Sequence, residues 1–420
     1  MSLRRRLLSF LQKRFADRPP PLRLTFWDGE VFDFSAAPTV TLTLRTPRTA
    51  RDLLFGRFDR LGDAYVAGDI LVEGQVADIL RTGIDLAERI GKAPWLAPLV
   101  RGIGLLSFRH SKKQDAGAIA YHYDVSDEFY RAFLDRDMIY SCAYFRTGAE
   151  SIDLAQQQKL AHICNKLRLA PGVRLLDIGC GWGGLLHFAA KHYDISALGI
   201  TNSEAQCAAA CERIAKAGLS DRVEIRLSDY RDIAGKDCFD KIVSVGMYEH
   251  VGARNWPIYF ETIDRLLKPG GTLLNHGIIT TDAQGRPQGP PGGEFIDRYV
   301  FPGGELANLP RLLTEMSARG LETSDVEDLR PHYAKTLELW SGRLEHNRDA
   351  VIAAGGIERF RIWRIYLAGM AQAFDRGWLS IAQIVAHKQV GCRPAPRPWT
   401  RDHQYTPDPA ATFCAPLDRT

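Results

Sequence analysis

The chain has almost no net charge: 54 lysines and arginines stand against 50 acidic residues in 420, a formal excess of +4. That excess is too small to draw a protein onto nucleic acid, so no nucleic-acid partner is expected. Its eight cysteines (Cys142, Cys164, Cys180, Cys207, Cys211, Cys238, Cys392 and Cys414) form no C-x-x-C pair and no regular framework. Reduced thiols in a cytoplasmic protein follow, with no metal expected. No apolar run approaches the ~18 residues that span a bilayer. The opening MSLRRRLLSFLQKRF is too short in apolar length for a secretory leader, and no cleavage pattern follows it. Repeats and low-complexity tracts are missing too. What remains is ordinary globular composition, 45% apolar and 25% charged, in a length that favours at least two domains.

The charge that exists is unevenly placed. Arg4, Arg5, Arg6, Lys13, Arg14 and Arg18 meet only Asp17 in the first eighteen residues, while Leu3, Leu7, Phe10, Leu11 and Phe15 recur at helical spacing. Two readings of residues 1–21 stay open: a basic amphipathic arm for an anionic membrane surface, or a terminal helix docked on its own domain. Residues 22–90 read as a small α+β domain, with LRLTFWDGEVFDF as two strands about an Asp28-Gly29 turn and TVTLTLR as a third. Helical or turn-broken helical segments follow. Residues 91–120 read as a linker. Residues 121–400 read as the larger domain, where after residue 150 strands alternate with helices, the signature of an α/β fold with a parallel sheet covered on both faces. RIWRIYLAGMAQAFDRGWLSIAQIVAHK reads as helical, and 401–420 as a tail.

The first strand of that region runs into LLDIGCGWGG, placing Asp177, Gly179, Gly181 and Gly183 at a strand end. Glycines there let backbone approach a ligand, and the next helix N-terminus favours its polar groups. A dinucleotide site is the rival, but it wants G-x-G-x-x-G and an acid about 20 residues on. Here the spacing is G-x-G-x-G, and the following strand ends in Thr201. S-adenosylmethionine is favoured. The missing acid means either a degenerate site or a ribose held by hydroxyl and amide groups such as Thr201 and Gln206. Asp229, ending the third strand in LSDYRD, is either an acceptor for the adenine amine or a turn cap. Glu249 and His250 follow the apolar stretch of KIVSVGMYEHVG; adjacent side chains at a strand end face opposite ways, so only one of them is expected in a site.

Taken together, YHYDVSDEFYRAFLD, MIYSCAYF, LLDIGCGWGG, GITNSEAQ, MYEHVG, DRYVFPGG and YLAGMAQAFDRGWLSIAQ resemble the cyclopropane-fatty-acyl-phospholipid synthases over residues 120–392. The 22–90 unit is similar to the N-terminal domain of the longer members. The resemblance implies a Rossmann-like class I methyltransferase fold with a seven-stranded, mostly parallel sheet and a small lipid-binding-like N-terminal domain. It implies methyl transfer from S-adenosylmethionine to the cis double bond of an unsaturated acyl chain in a membrane phospholipid. A carbocation follows, and bound bicarbonate removes the proton to close a cyclopropane ring. Cofactor contacts would fall on Tyr140, Ser141, residues 175–183, Thr201, Asn202, Gln206, Ser228 and Asp229. The bicarbonate cage would be Cys142, Glu249, His276, the backbone of Ile278, and Tyr333. That assigns Glu249 to the site and leaves His250, like His122, a structural role. Met370 stands where relatives often carry cysteine, so sulfur nucleophilic catalysis there is excluded. A homodimer at the inner face of the cytoplasmic membrane is also implied.

The chemistry makes further demands. An alkene is a poor nucleophile, so alignment in a dry pocket has to supply most of the catalysis. Aromatic faces soften the cation by ~0.5–2 kcal/mol each, with Tyr140, Tyr144, Phe145, Tyr299 and Phe301 as candidates. The Gly- and Pro-rich loop 280–304 is expected over the acyl channel. Competing readings are a C-methyltransferase giving a methyl-branched or methylene fatty acid, and a lapsed enzyme that only binds lipid.

Overall fold

The computed structural model describes residues 1–91, 126–282, 293–302 and 304–405. Residues 92–120 of the expected linker, His122, the tail beyond 405 and residues 283–292 and 303 of the expected channel loop lie outside them. The chain forms two compact units. One comprises Met1–Phe108, Gly289–Pro302 and Leu344–Gln372; the other comprises Arg109–Gln288, Gly303–Arg343 and Ala373–Thr420. Domain order therefore does not follow the expected boundaries at 21, 90, 120 and 400. The arm belongs to the first unit, and two later segments return to it.

In the first unit β1 (Leu22–Thr25) and β2 (Val31–Asp33) form the expected hairpin, turning at Gly29 with φ +82°. β1 then pairs parallel with β3 (Val40–Leu44), which pairs antiparallel with β4 (Ile70–Glu73). β4 falls inside a stretch expected to be helical. Gly68, at φ +87°, stops helix Phe58–Ala67 and turns the chain into it. The arm is helix Leu3–Arg14, capped by the Ser2 hydroxyl, and it buries Leu7, Leu11 and Phe15 among Leu22, Leu24, Phe26 and Leu44. Each such burial stabilises by ~1.5–3 kcal/mol. This settles the open choice: the apolar stripe is core, while Arg5, Arg6 and Lys13 remain exposed.

The second unit is built on β5 (Arg174–Ile178), β6 (Ser196–Thr201), β7 (Val223–Leu227), β8 (Phe239–Val245), β9 (Leu267–Thr280), β11 (Leu321–Asp328) and β12 (Leu379–Lys388). Their order is β11-β12-β9-β8-β5-β6-β7, and the short β10 (Ala307–Asn308) adds to β9. β9-β8-β5-β6-β7 are mutually parallel, and β12 runs antiparallel to both neighbours. Strand alternation sorts the core: Leu176 and Ile178 pack with Tyr259, Phe260 and Ile263 of helix Trp256–Leu266, whereas Leu175 packs with Leu160 and Ile163 of helix Ile152–Leu167 and with Leu186.

β12 contradicts the helical expectation for LSIAQIVAHK. Helix Arg348–Asp375 ends, Gly377 adopts φ +71°, and the strand starts two residues later. Eight consecutive positions of β12 are buried. A strand covered on both faces shows no alternation, so its sequence looks like a buried helix.

Candidate active site

The C-terminal ends of β5, β6 and β8 share one cavity in the second unit. Tyr140, Ser141, Asp177, Gly179, Gly181, Thr201, Asn202, Gln206 and Ser228 all line it, as expected. Gly179 and Gly181 hold φ +85° and +54°, the left-handed region where a side chain is strained. Thr201 donates to Gln206 Oε1 at 2.9 Å and accepts the Ser203 amide at 3.2 Å. A hydroxyl and an amide thus occupy the strand end where a ribose-binding acid was missing.

Two expected cofactor residues do not line the cavity. Gly183 is the N-cap of helix Gly184–Tyr193 at φ +76°, and a Cβ there would sit 3.1 Å from that of Ala210. It serves helix packing. Asp229 caps a short turn and is gripped by Arg231, with Nε and Nη2 each at 2.7 Å from its carboxylate oxygens. Its neighbours Ser228 and Tyr230 face the cavity instead.

Four of the expected cage residues, Glu249, Ile278, Tyr333 and Cys142, are connected through backbone of β9, β12 and Leu329. Glu249 Oε1 accepts the Ile278 amide at 2.7 Å, and Ile278 O accepts the Tyr248 hydroxyl at 2.7 Å. Ile278 lies opposite Ile381 on β12, whose carbonyl accepts the Leu329 amide at 2.8 Å. The Leu329 carbonyl in turn accepts the Tyr333 amide and lies 3.9 Å from Cys142 Sγ. The Ile278 N–H, expected to face an anion, is here spent on Glu249 and orients that carboxylate. Cys142 is fully buried, its thiol donates to Ala143 O at 3.2 Å, and burial pushes it far from ionisation.

His276 sits two residues before Ile278 and is likewise buried. Burial, reinforced by the Lys159 and Lys166 charges, holds its imidazole well below the usual range, so it is neutral. Gln383 Nε2 donates to its Nδ1 at 3.0 Å, which puts the ring proton on Nε2. That Nε2–H has no partner among the described residues, and neither does Glu249 Oε2. Burial raises the Glu249 carboxyl to about 7, against the pull of the Ile278 amide. One orphan donor and one orphan acceptor therefore sit at one strand end, an arrangement that costs free energy unless a small polar partner fills it.

The aromatic expectations sort differently. Tyr140 lines the cavity and packs on Trp340, 5.3 Å away, which in turn meets Tyr333 at 6.3 Å. Tyr144 and Phe145 instead pack on His332. Tyr299 and Phe301 belong to the first unit, where they meet Asp63 and Tyr366; Met370 is buried there too.

Sequence reasoning missed Lys159, Met247 and His250, which also line the cavity. Glu249 and His250 lie on a helical turn, Tyr248–Val251, so the two-faced strand argument that set His250 aside does not hold. Lys159 was visible: it follows Ala155 and Gln156 on the buried stripe of helix Ile152–Leu167, where a charge is out of place.

Comparison with known proteins matches residues 110–384 to the mycolic acid cyclopropane synthetase family and residues 8–91 to a domain of unknown function, DUF7884. A probable fatty acid methyltransferase of Pseudomonas putida is 44% identical over 92% of this chain and 96% of its own length. The cyclopropane-fatty-acyl-phospholipid synthase of Escherichia coli is 41% identical over 64% of this chain and 67% of its own. The structure of mycolic acid cyclopropane synthase CmaA1 complexed with SAH and CTAB aligns at TM-score 0.62 and 34% identity, covering 65% of this chain and 98% of that one. The cyclopropane synthase MmaA2 from Mycobacterium tuberculosis aligns at 0.62 and 31%, with the same coverage. Sheet order, strand-end cavity and these matches agree that the chain belongs to the mycolic acid cyclopropane synthetase family, on the class I S-adenosylmethionine-dependent methyltransferase fold.

Proposed function

We propose that this chain binds S-adenosylmethionine in the cavity at the ends of β5, β6 and β8, and uses it to convert the cis double bond of an unsaturated phospholipid acyl chain into a cyclopropane ring. The observation that carries the ring-forming part is the orphan pair at β9, the His276 Nε2–H and Glu249 Oε2. S-adenosylmethionine supplies the methyl group, and a bicarbonate ion supplies the base that takes the proton. His276 donates to an oxygen of that ion, and Glu249, once ionised, accepts its hydroxyl hydrogen. Gln383 fixes the His276 tautomer, and the Ile278 amide fixes the carboxylate. Cys142 stays a thiol bonded to backbone, so it offers a carbocation no nucleophile. Tyr140 presents an aromatic face on the cavity wall, where each such face softens positive charge by ~0.5–2 kcal/mol. On this reading the substrate is reached at the cytoplasmic membrane surface, with Arg5, Arg6 and Lys13 exposed toward anionic headgroups.

One observation favours a second reading, a methyl-branched or methylene product. Relatives matching most of this chain are named a probable fatty acid methyltransferase, at 44% identity, and a tuberculostearic acid methyltransferase, at 34% over 86% of this chain. Incubation with unsaturated phospholipid vesicles and labelled S-adenosylmethionine, with and without bicarbonate, separates the two. Cyclopropane ring-proton signals that depend on bicarbonate support ring closure; labelled branched chains without them support methylation alone.

A further inference from the structure

A second cavity of about 260 Å³ lies in the same unit and shares only Gly184 with the cofactor cavity among the described residues. The chain at Arg136 and Asp137, helix Ile152–Leu167 at Gln157, and helix Gly184–Tyr193 at His187, Lys191 and His192 line it. Counted from Gly184, those last three fall at i+3, i+7 and i+8, on the stripe a helix keeps apolar against its neighbours. Here the stripe carries two imidazoles and an ammonium. Arg136 and Lys191 are exposed and His187 is half-buried, so the cavity opens to solvent. Asp137 is the one acid among the described lining residues, and it is occupied. Arg213 Nη1 stands 3.5 Å from its Oδ1, Arg136 Nε stands 3.7 Å from Oδ2, and Gln157 Nε2 donates to Oδ2. Asp153, which accepts the Arg136 amide, is bound by Arg343 Nη2 at 2.7 Å. Three cations, Arg136, Arg213 and Lys191, thus face one carboxylate, an excess of two positive charges. Neither Lys191 nor the His187 ring makes a hydrogen bond or ion pair with any described residue. Burial and the Arg213 charge hold the His187 imidazole below its usual range despite Asp137, and Lys191 and His192 push the same way. The cavity is electropositive.

We propose that this second cavity seats a phosphate monoester or free phosphate, held by Arg136, His187 and Lys191. Size and charge set the class. Pockets for drug-sized ligands hold ~300–1,000 Å³, so this one takes a small group and not a nucleoside or an acyl chain. A carboxylate brings one charge and two oxygens; a phosphate monoester brings nearly two charges and three acceptor oxygens. The second matches the excess. His187 and Lys191 are four residues apart on one helix and reach one ligand together, while Arg136 meets it from the facing chain. The site is separate from the cofactor's. Arg136 and Asp137 face the second cavity, and Met138 and Ile139, next in the chain, face the first. Gly184 closes against that partition, since a Cβ there would overlap Ile139 Cδ1 and lie 3.1 Å from Asp137 O. The same chemistry has two sources, a soluble phosphate or the headgroup of phosphatidic acid.

The test titrates the full chain with inorganic phosphate by calorimetry at low ionic strength, with and without saturating S-adenosylhomocysteine. Phosphate should bind with Kd of about 1 mM or tighter in both cases, and acetate about tenfold more weakly. Arg136→Met with Lys191→Met should weaken phosphate by about tenfold or more, the loss of charged hydrogen bonds. S-adenosylhomocysteine should stay within about twofold, which also reports that the variant is folded. Bound phosphate should raise the His187 titration midpoint followed by NMR, because an anion favours the charged ring. Sedimentation with phosphatidylcholine vesicles carrying phosphatidic acid separates the two sources. Binding that Lys191→Met weakens more than Lys236→Met, an exposed lysine outside the cavity, assigns the site to the headgroup. Equal weakening beside tight phosphate binding assigns it to soluble phosphates. Binding in neither assay would overturn the proposal. So would phosphate displaced by S-adenosylhomocysteine, acetate of equal affinity, an unmoved His187, or a double variant that binds like wild type. A chain that binds no S-adenosylhomocysteine sinks the cofactor reading alone, and the phosphate titration still decides this one.

Discussion

The two strand ends that build the site share one electrostatic condition and differ in what they leave unpaired. Beside β5, burial pushes Lys159 down to about 8 and Asp177 up to about 7 on the cavity wall. At β9 burial acts the same way: His276 carries no charge and the Glu249 carboxyl titrates near 7. Only the second end leaves a buried donor and a buried acceptor without partners among the described residues. On the proposed reaction it has to accept a proton beside a hydrocarbon cation, where a full positive charge would repel and a free nucleophile would attack. Burial without full pairing serves both, because desolvation strengthens any ligand contact and keeps water away.

The contrast predicts separable defects. Glu249→Gln should lower lipid product about 10²- to 10⁴-fold, as loss of a proton-handling group does, while S-adenosylhomocysteine binds within about twofold of wild type. A comparable fall in cofactor affinity would merge the two ends into one. A control lies away from both, in the first unit. Leu11→Ala should cost ~2–5 kcal/mol of stability in urea unfolding of the full chain, because the arm is core; a surface arm would lose almost nothing. The pH dependence should belong to β9. Glu249 acts as acceptor only when ionised, so ring formation rises with pH through about 7. At one unit below, only about a tenth of the carboxyl is ionised and the rate drops by about tenfold. Glu249→Gln should flatten that limb. The smallest effect is expected at Gly183→Ala. Left-handed strain and the close Ala210 contact should cost ~1–2 kcal/mol of stability, with cofactor affinity nearly unchanged, since that glycine faces a helix.

What was legible in the sequence was whatever left a local mark. Gly179 and Gly181 announce backbone that only glycine tolerates easily, and the β5–β9 strands announce themselves by alternating with helices. The cage residues Cys142, Glu249, His276 and Tyr333 were nameable only through resemblance, since no spacing links positions so far apart. In the fold, strand pairing and backbone hydrogen bonds connect Glu249, Tyr333 and Cys142 through Ile278, Ile381 and Leu329. β12 and β4 were lost for the reason that each follows a glycine-stopped helix and carries little alternation. Asp229 looked like a ligand because strand-end acids often are; its tie to the next-but-one arginine leaves no signal beyond the arginine itself. His250 was discarded by a strand rule applied to a helical turn.

The arm has one more consequence. With Leu7, Leu11 and Phe15 tucked inside and Leu3, Leu8 and Phe10 half-buried against the same core, helix Leu3–Arg14 has little greasy surface left to wedge between lipid tails. Any grip it exerts on a bilayer is mainly Coulombic, governed by how many acidic headgroups lie beneath it and loosened by salt, with little sense of curvature or packing defects.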